Sequence, residues 1–144
     1  MKALKRAMVA AATIALAAGT AVAIAPGIAN AGGVEPDCSP RYGGPVILYW
    51  DSWQEGASVC LNGTFSTLAG FTFDNSGLPG SGEPIYNNAA SALNWDTNWE
   101  VRIWSGTNFT GVFQDLTPCC DEGHALNLGD VANKDKSIDW VSYG

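Results

Sequence analysis

The segment Trp104 to Gly111, "WSGTNFTG", sets an aromatic residue five positions before a second aromatic, Phe109, and closes on a glycine two positions further on. A looser copy, "YWDSWQEG", runs from Tyr49 to Gly56 and ends on a glycine 55 residues earlier, a separation of roughly half a small domain. Few local patterns restrict a chain this strongly. A hairpin that folds back over its own sheet must bury one face with few residues, so aromatics at the two ends of its turn pack as one apolar contact. The glycine then supplies a backbone angle closed to residues with a Cβ. On this reading Tyr49, Gly56, Trp104, Phe109 and Gly111 belong to the fold, and the aromatics are core residues rather than a ligand platform.

The two halves agree beyond their hairpins. Leu61 follows Gly56 by five positions and Leu116 follows Gly111 by five. The first half closes on "NNAASALNW", Asn87 to Trp95, and the second on "ANKDKSIDW", Ala132 to Trp140. Without gaps, Asn88 falls on Asn133, Ser91 on Lys136, Ala92 on Ser137 and Trp95 on Trp140. Only two copies fit, which predicts a two-motif domain and not a solenoid. The polar residues late in each half are expected to hold the folded hairpin through backbone groups that no strand satisfies. Elsewhere, short runs of Val, Ile, Tyr, Phe and Trp alternate with Gly, Asn, Asp and Pro, an all-β pattern. Strands are expected at 46–50, 57–61, 70–73, 100–104, 112–116 and 138–142, with a weaker one at 125–128. Residues 74–84, "DNSGLPGSGEP", carry two prolines and three glycines and predict an exposed loop.

Ahead of both halves, Lys2, Lys5 and Arg6 precede an Ala/Val/Ile-rich run that reaches Ile24, followed by Ala29-Asn30-Ala31 before Gly32. This is the pattern of a secretory signal peptide over residues 1–31, and the apolar run is short for a bilayer of about 30 Å. Residues 32–45 form a Pro/Gly-rich lead-in, and 46–144 the domain, with repeats at about 46–95 and 100–140. Without the leader, Arg41, Arg102, Lys134 and Lys136 stand against 14 acidic residues, a net charge of −10. Such a surface repels phosphate backbones and anionic lipid, so neither nucleic acid nor membrane is an expected partner. A single extracellular domain, monomeric, is the expectation.

These residues resemble the βγ-crystallin fold, whose units carry an aromatic, four residues, an aromatic, one residue and glycine, followed by a polar Asn/Asp–Ser segment. Trp104, Phe109, Gly111 and Ser137 match in the second half; in the first, Gln54 holds the second aromatic's place and Trp53 stands one position before it. The segments "ILYWDS", "VRIWSGTNFTG" and "NNAAS", with the leader and the cysteines, are similar to the secreted bacterial branch of βγ-crystallin-like peptidase inhibitors, typified by an actinobacterial metalloprotease inhibitor. The resemblance implies two antiparallel Greek-key motifs forming a disulfide-bonded β-sandwich. It also implies a secreted protein that inhibits a metalloprotease. The pattern departs at Ile47, where members of that branch often have cysteine.

The candidate chemistry is sparse. Cys38, Cys60, Cys119 and Cys120 give an even count in an exported chain, which predicts two disulfides. A direct Cys119–Cys120 bond would close a strained ring, so Cys38 and Cys60 are each expected to bond one of the adjacent pair, with two connectivities open. The cluster "CCDEGH", Cys119 to His124, does not suit zinc, because zinc thiolates come as spaced pairs and neighbouring side chains on an extended chain point apart. One histidine supports no Ser-His-Asp set, and no enzyme is expected. Calcium is the one cofactor with candidate ligands: Asn87, Asn88, Ser91, Asn133 and Ser137 offer oxygens, of which a calcium ion takes six to eight. For a secreted protease as partner, the expected inhibitory loop is Pro118, Cys119, Cys120, Asp121 and Glu122, stiffened by the proline and two cysteines. The alternatives are a calcium-stabilised extracellular structural or binding module and a small secreted toxin.

Overall fold

The computed structural model describes residues 33–35, 44–74, 76–118 and 124–144. Among the described residues, eight strands form two antiparallel sheets: β1 (Gly33–Glu35), β2 (Val46–Tyr49), β3 (Ser58–Asn62), β4 (Ser91–Asn94), β5 (Trp99–Gly106), β6 (Thr110–Leu116), β7 (His124–Asn127) and β8 (Ser137–Ser142). One sheet has the order β1-β3-β2-β4-β7 and the other β6-β5-β8.

Alternation along the strands explains how the sheets stack. In β5, Val101 and Ile103 are fully buried, whereas Glu100, Arg102 and Trp104 between them keep some exposure. Their register partners Leu116 and Ile138 are also fully buried, so β5, β6 and β8 present one apolar face. Val46, Leu48, Val59, Leu61 and Ala92 present the matching face of the first sheet, with Phe65, Phe73 and Ile85 from the connections between. Each buried Leu, Ile, Val or Phe contributes about 1.5–3 kcal/mol relative to exposure.

The two halves exchange strands. β7 belongs to the second half but pairs with β4 in the first sheet. Reciprocally, Phe65 of the first half bridges Ile138 at the edge of the second sheet, with N–H···O distances of 2.8 and 2.9 Å in the two directions. This mutual exchange ties the two halves together, because each sheet takes a strand or bridge from the other half.

Most expected strands appear within one or two residues of their sequence-based bounds. Residues 70–73 supply only the Thr72–Pro84 bridge. β4, "SALN", was absent from the expected strands because it carries no β-branched or aromatic residue to mark it. The loop at 74–84 is mostly exposed, as expected, but it is not idle: Pro79 O accepts Ala57 N–H at 2.8 Å, and a Cβ on Gly80 would overlap the Trp50 indole. Residues 1–31, Cys38 and 119–123 lie outside the described residues, and with them the signal peptide and most of the inhibitory loop. Among the described residues no helix is long and apolar enough to cross a membrane.

Candidate functional site

The fold-over hairpins are built alike. Asp51 to Gly56 in the first half and Gly106 to Gly111 in the second share their left-handed residues: Trp53 and Asn108 (φ 63° and 54°), Gln54 and Phe109 (62° and 59°), Gly56 and Gly111 (78° and 86°). Gln54 therefore occupies the place of Phe109 in backbone as well as in sequence. One serine holds each hairpin. Ser91 Oγ donates to Asp51 O (2.6 Å) and accepts from Gln54 N–H (3.0 Å), while Ser137 Oγ donates to Gly106 O (2.7 Å) and accepts from Phe109 N–H (3.1 Å). Polar residues late in each half thus tie down the hairpins, but Ser91 corresponds to Ser137 and not to Lys136. The ungapped alignment is off by one residue in this segment.

The hairpin aromatics are half-buried rather than core. Tyr49, Trp104 and Phe109 all keep some exposure, because the hairpin covers the outer face of its sheet and not the face between the sheets. Burial pushes the Tyr49 hydroxyl above its ordinary pKa. Trp104 packs on Phe113 with ring centroids 4.7 Å apart, and its Nε1–H donates to Asp139 at 2.8 Å. On the same outer face Arg102 lies 4.2 Å from the Phe113 ring centre and grips Asp115 through Nε (2.6 Å) and Nη2 (2.9 Å). That bidentate hydrogen bond raises the Arg102 pKa, whereas burial and the neighbouring Asp115 raise that of Glu100.

With the serines as reference, the polar segments meet about a pseudo-twofold axis. Asn87 N–H donates to Asp135 O at 2.9 Å, and Asn133 N–H donates to Ala89 O at 2.8 Å, with both asparagines left-handed (φ 64° and 55°). The symmetry breaks at one pair. Where the first half has Ala89, the second has Asp135, whose Oδ1 accepts Ala89 N–H at 3.0 Å. Asp135 is fully buried and its Oδ2 has no hydrogen-bond partner. Burial pushes its pKa up to about 7, against the lowering pull of the nearby backbone N–H groups and Lys136. The mismatch of Asp135 with Ala89 becomes visible once Ser91 is aligned on Ser137.

The calcium candidates lie in these segments. Ser91 and Ser137 already donate once and accept once, and Asn88 Nδ2 donates to Pro84 O at 2.8 Å. Among the described residues no group of three or more His, Cys, Asp or Glu is placed to hold a metal ion.

At one end of the sandwich, the buried Asn94 holds both stems of the segment 117–123. Its Nδ2 donates to Leu116 O (3.0 Å) and Thr117 O (3.4 Å) on one stem, and its backbone lies opposite His124 on the other. It also reaches Trp99 O at 3.0 Å. Pro118 is half-buried at the root of that segment. Cys60 is buried opposite Ile47.

No protein-family model and no curated protein matches the sequence. Among solved structures, the chain is similar to a protein solved under the description "Evolution of the eye lens beta-gamma-crystallin domain fold", with TM-score 0.53 and 18% identity over 78% of this chain and 97% of the other. It also matches the N-terminal domain of Protein S (TM-score 0.48, 18% identity, 68% of this chain, 96% of that one). A doubly substituted βγ-crystallin domain from Clostridium beijerinckii matches at TM-score 0.48 and 23% identity over 67% of this chain and 94% of that one. The first match and the exchange of strands between halves establish an all-β, βγ-crystallin-like sandwich.

Proposed function

We propose that this chain is a secreted, monomeric binding module of βγ-crystallin type that inhibits a peptidase, a metalloprotease first among candidates, and that it is not itself an enzyme. The observation that supports this is the clamp at Asn94. An inhibitor must present a segment already close to its bound shape, since the cost of ordering a loop is subtracted from the gain at an interface of about 800 Å² per partner. Residues 117–123 leave β6 in one sheet and enter β7 in the other, with one buried amide and one backbone pair fixing the two stems. Pro118 and the disulfides of Cys119 and Cys120 to Cys38 and Cys60 stiffen the segment further in this proposal, and Asp121 and Glu122 face the enzyme.

A titration of the purified, oxidised protein against thermolysin-like, subtilisin-like and trypsin-like peptidases tests the reading. Stoichiometric inhibition of the first class is expected, and replacing Pro118 and Asp121 together by alanine should weaken it. Inhibition of no class at micromolar protein refutes the function, whereas unchanged inhibition by the double variant refutes only the loop.

A second reading, a calcium-stabilised structural or binding module, is favoured by the meeting of the two polar segments at the pseudo-twofold axis. Calcium would there depend on Asn87, Asn88 and Asn133, because the serines are engaged with the hairpins. A rise in melting temperature with millimolar calcium over chelator supports it, and equal melting temperatures reject it.

A further inference from the structure

At the end of the sandwich where β3 finishes, a cleft of about 390 Å³ opens between Trp99 and Trp140 on one side and Asn62, Gly63, Thr64 and Asp96 around it. Its two indoles share a sheet face. Trp99 is two residues from the buried Val101 along β5, and Val101 pairs with Trp140 of β8, so both rings point to the inner side, as diagonal neighbours. Inner-facing residues of a sandwich are normally covered, yet Trp99 is 48% exposed. The rest of the lining is polar and fixed. Asp96 is nearly buried, its Oδ1 accepting Asn98 N–H (2.7 Å) and Trp99 N–H (2.8 Å), and Trp140 Nε1–H donates to Gly63 O at 2.7 Å.

The internal symmetry supplies a control. The shift of 55 residues that relates the hairpins places Gly44 where β5 has Trp99, and the shift of 46 that relates Ser91 to Ser137 places Asn94 where β8 has Trp140. Asn94 closes the symmetry-related side of the same end with its amide on Leu116 O and Thr117 O, as Trp140 closes this side with its indole on Gly63 O. The frame is therefore closed on that side with a glycine and an asparagine. Two tryptophans exceed what that closure requires, and one of them leaves half its surface in water.

We propose that this cleft is a saccharide-binding site that seats a pyranose ring. A sugar has an apolar C–H face and a rim of hydroxyls, which matches an indole platform edged by a carboxylate, an amide side chain, a hydroxyl and a backbone carbonyl. The cleft volume lies at the small end of ligand sites, which span ~300–1,000 Å³, as suits one ring with an open way out for its neighbours in a chain. A quaternary ammonium, the other ligand that seeks tryptophan and a carboxylate, is best held by aromatic walls on several sides. Here both indoles lie on one sheet. The acidic Asp96 is also already engaged with two backbone N–H groups.

The test is a titration of the full protein with cellotriose, chitotriose and maltotriose, with choline as the cationic comparison, read by tryptophan fluorescence and by saturation-transfer NMR. At least one trisaccharide should give a saturable change, and Trp99→Ala should weaken it about tenfold or more, as expected for loss of one stacking face. Trp53→Ala, which removes a 75% exposed indole on the first hairpin, should leave it unchanged. The melting temperature of Trp99→Ala checks that the variant is folded. No saturable response to any sugar up to its solubility limit overturns the proposal, as does sugar binding that survives Trp99→Ala. Binding of choline alone overturns it in favour of a cation site.

Discussion

Replacing Asp135 by asparagine tests how the two halves are joined. The carboxylate is buried at the pseudo-twofold axis with one oxygen on Ala89 N–H and the other unpartnered. Its pKa rises from 3.8, the ordinary value, to about 7 in the folded chain. Between those values the folded state holds a proton that the unfolded state has lost, so stability falls as pH rises. The contribution is fully present below pH 3.8, is lost through pH 7, and is constant above. Three pH units at about 1.4 kcal/mol each make a change on the order of 4 kcal/mol. The amide of the Asp135→Asn variant is expected to keep the acceptor for Ala89 N–H without titrating. Urea denaturation of both proteins at several values between about pH 4 and pH 8 removes the contribution of the other carboxylates by difference. Stability of the native chain relative to Asp135→Asn should fall by several kcal/mol across that range. A difference that stays constant with pH refutes the reasoning, whatever its sign.

Three further outcomes follow from the same contacts. Ser137→Ala and Ser91→Ala each strand a backbone N–H and a carbonyl of a hairpin and should each cost about 1–3 kcal/mol in urea denaturation. Gly80→Ala should cost about 1–3 kcal/mol by crowding Trp50, in addition to the strain of its left-handed φ of 85°. Gly77→Ala, with φ 78° and open space around the added methyl, should show only the strain, so thermal melts must rank Gly80→Ala as the less stable. Asn94→Ala removes three donor contacts to Trp99, Leu116 and Thr117 carbonyls and should lower both the melting temperature and the inhibitory titre, whereas Asn94→Asp restores size but not the donor and should rescue neither.

The hairpins were legible because each depends on a local constraint: a glycine at positive φ and aromatics at a fixed spacing leave few alternatives. The pairing of the halves was legible only approximately. Counting back from Trp95 and Trp140 misplaced Ser91 by one residue, since the structural counterpart of Trp140 is Asn94, and nothing local marks an asparagine as standing for a tryptophan. The same substitution hid the clamp on the stems of 117–123, whose partners lie 22 and 23 residues away in sequence. Trp99 had no place in the sequence reading because its exposure is a property of where the two sheets end. Asp135 was similarly opaque, since its burial and its orphaned oxygen come from the packing of the two polar segments across the axis.

Hydrogen–deuterium exchange of the protein, alone and mixed with a thermolysin-like peptidase, tests the central functional claim most directly. Slowed exchange is expected to concentrate at 117–123 and at its stems in β6 and β7, with the hairpin at Trp53 unaffected. No protection anywhere, or protection confined to that hairpin, would contradict it.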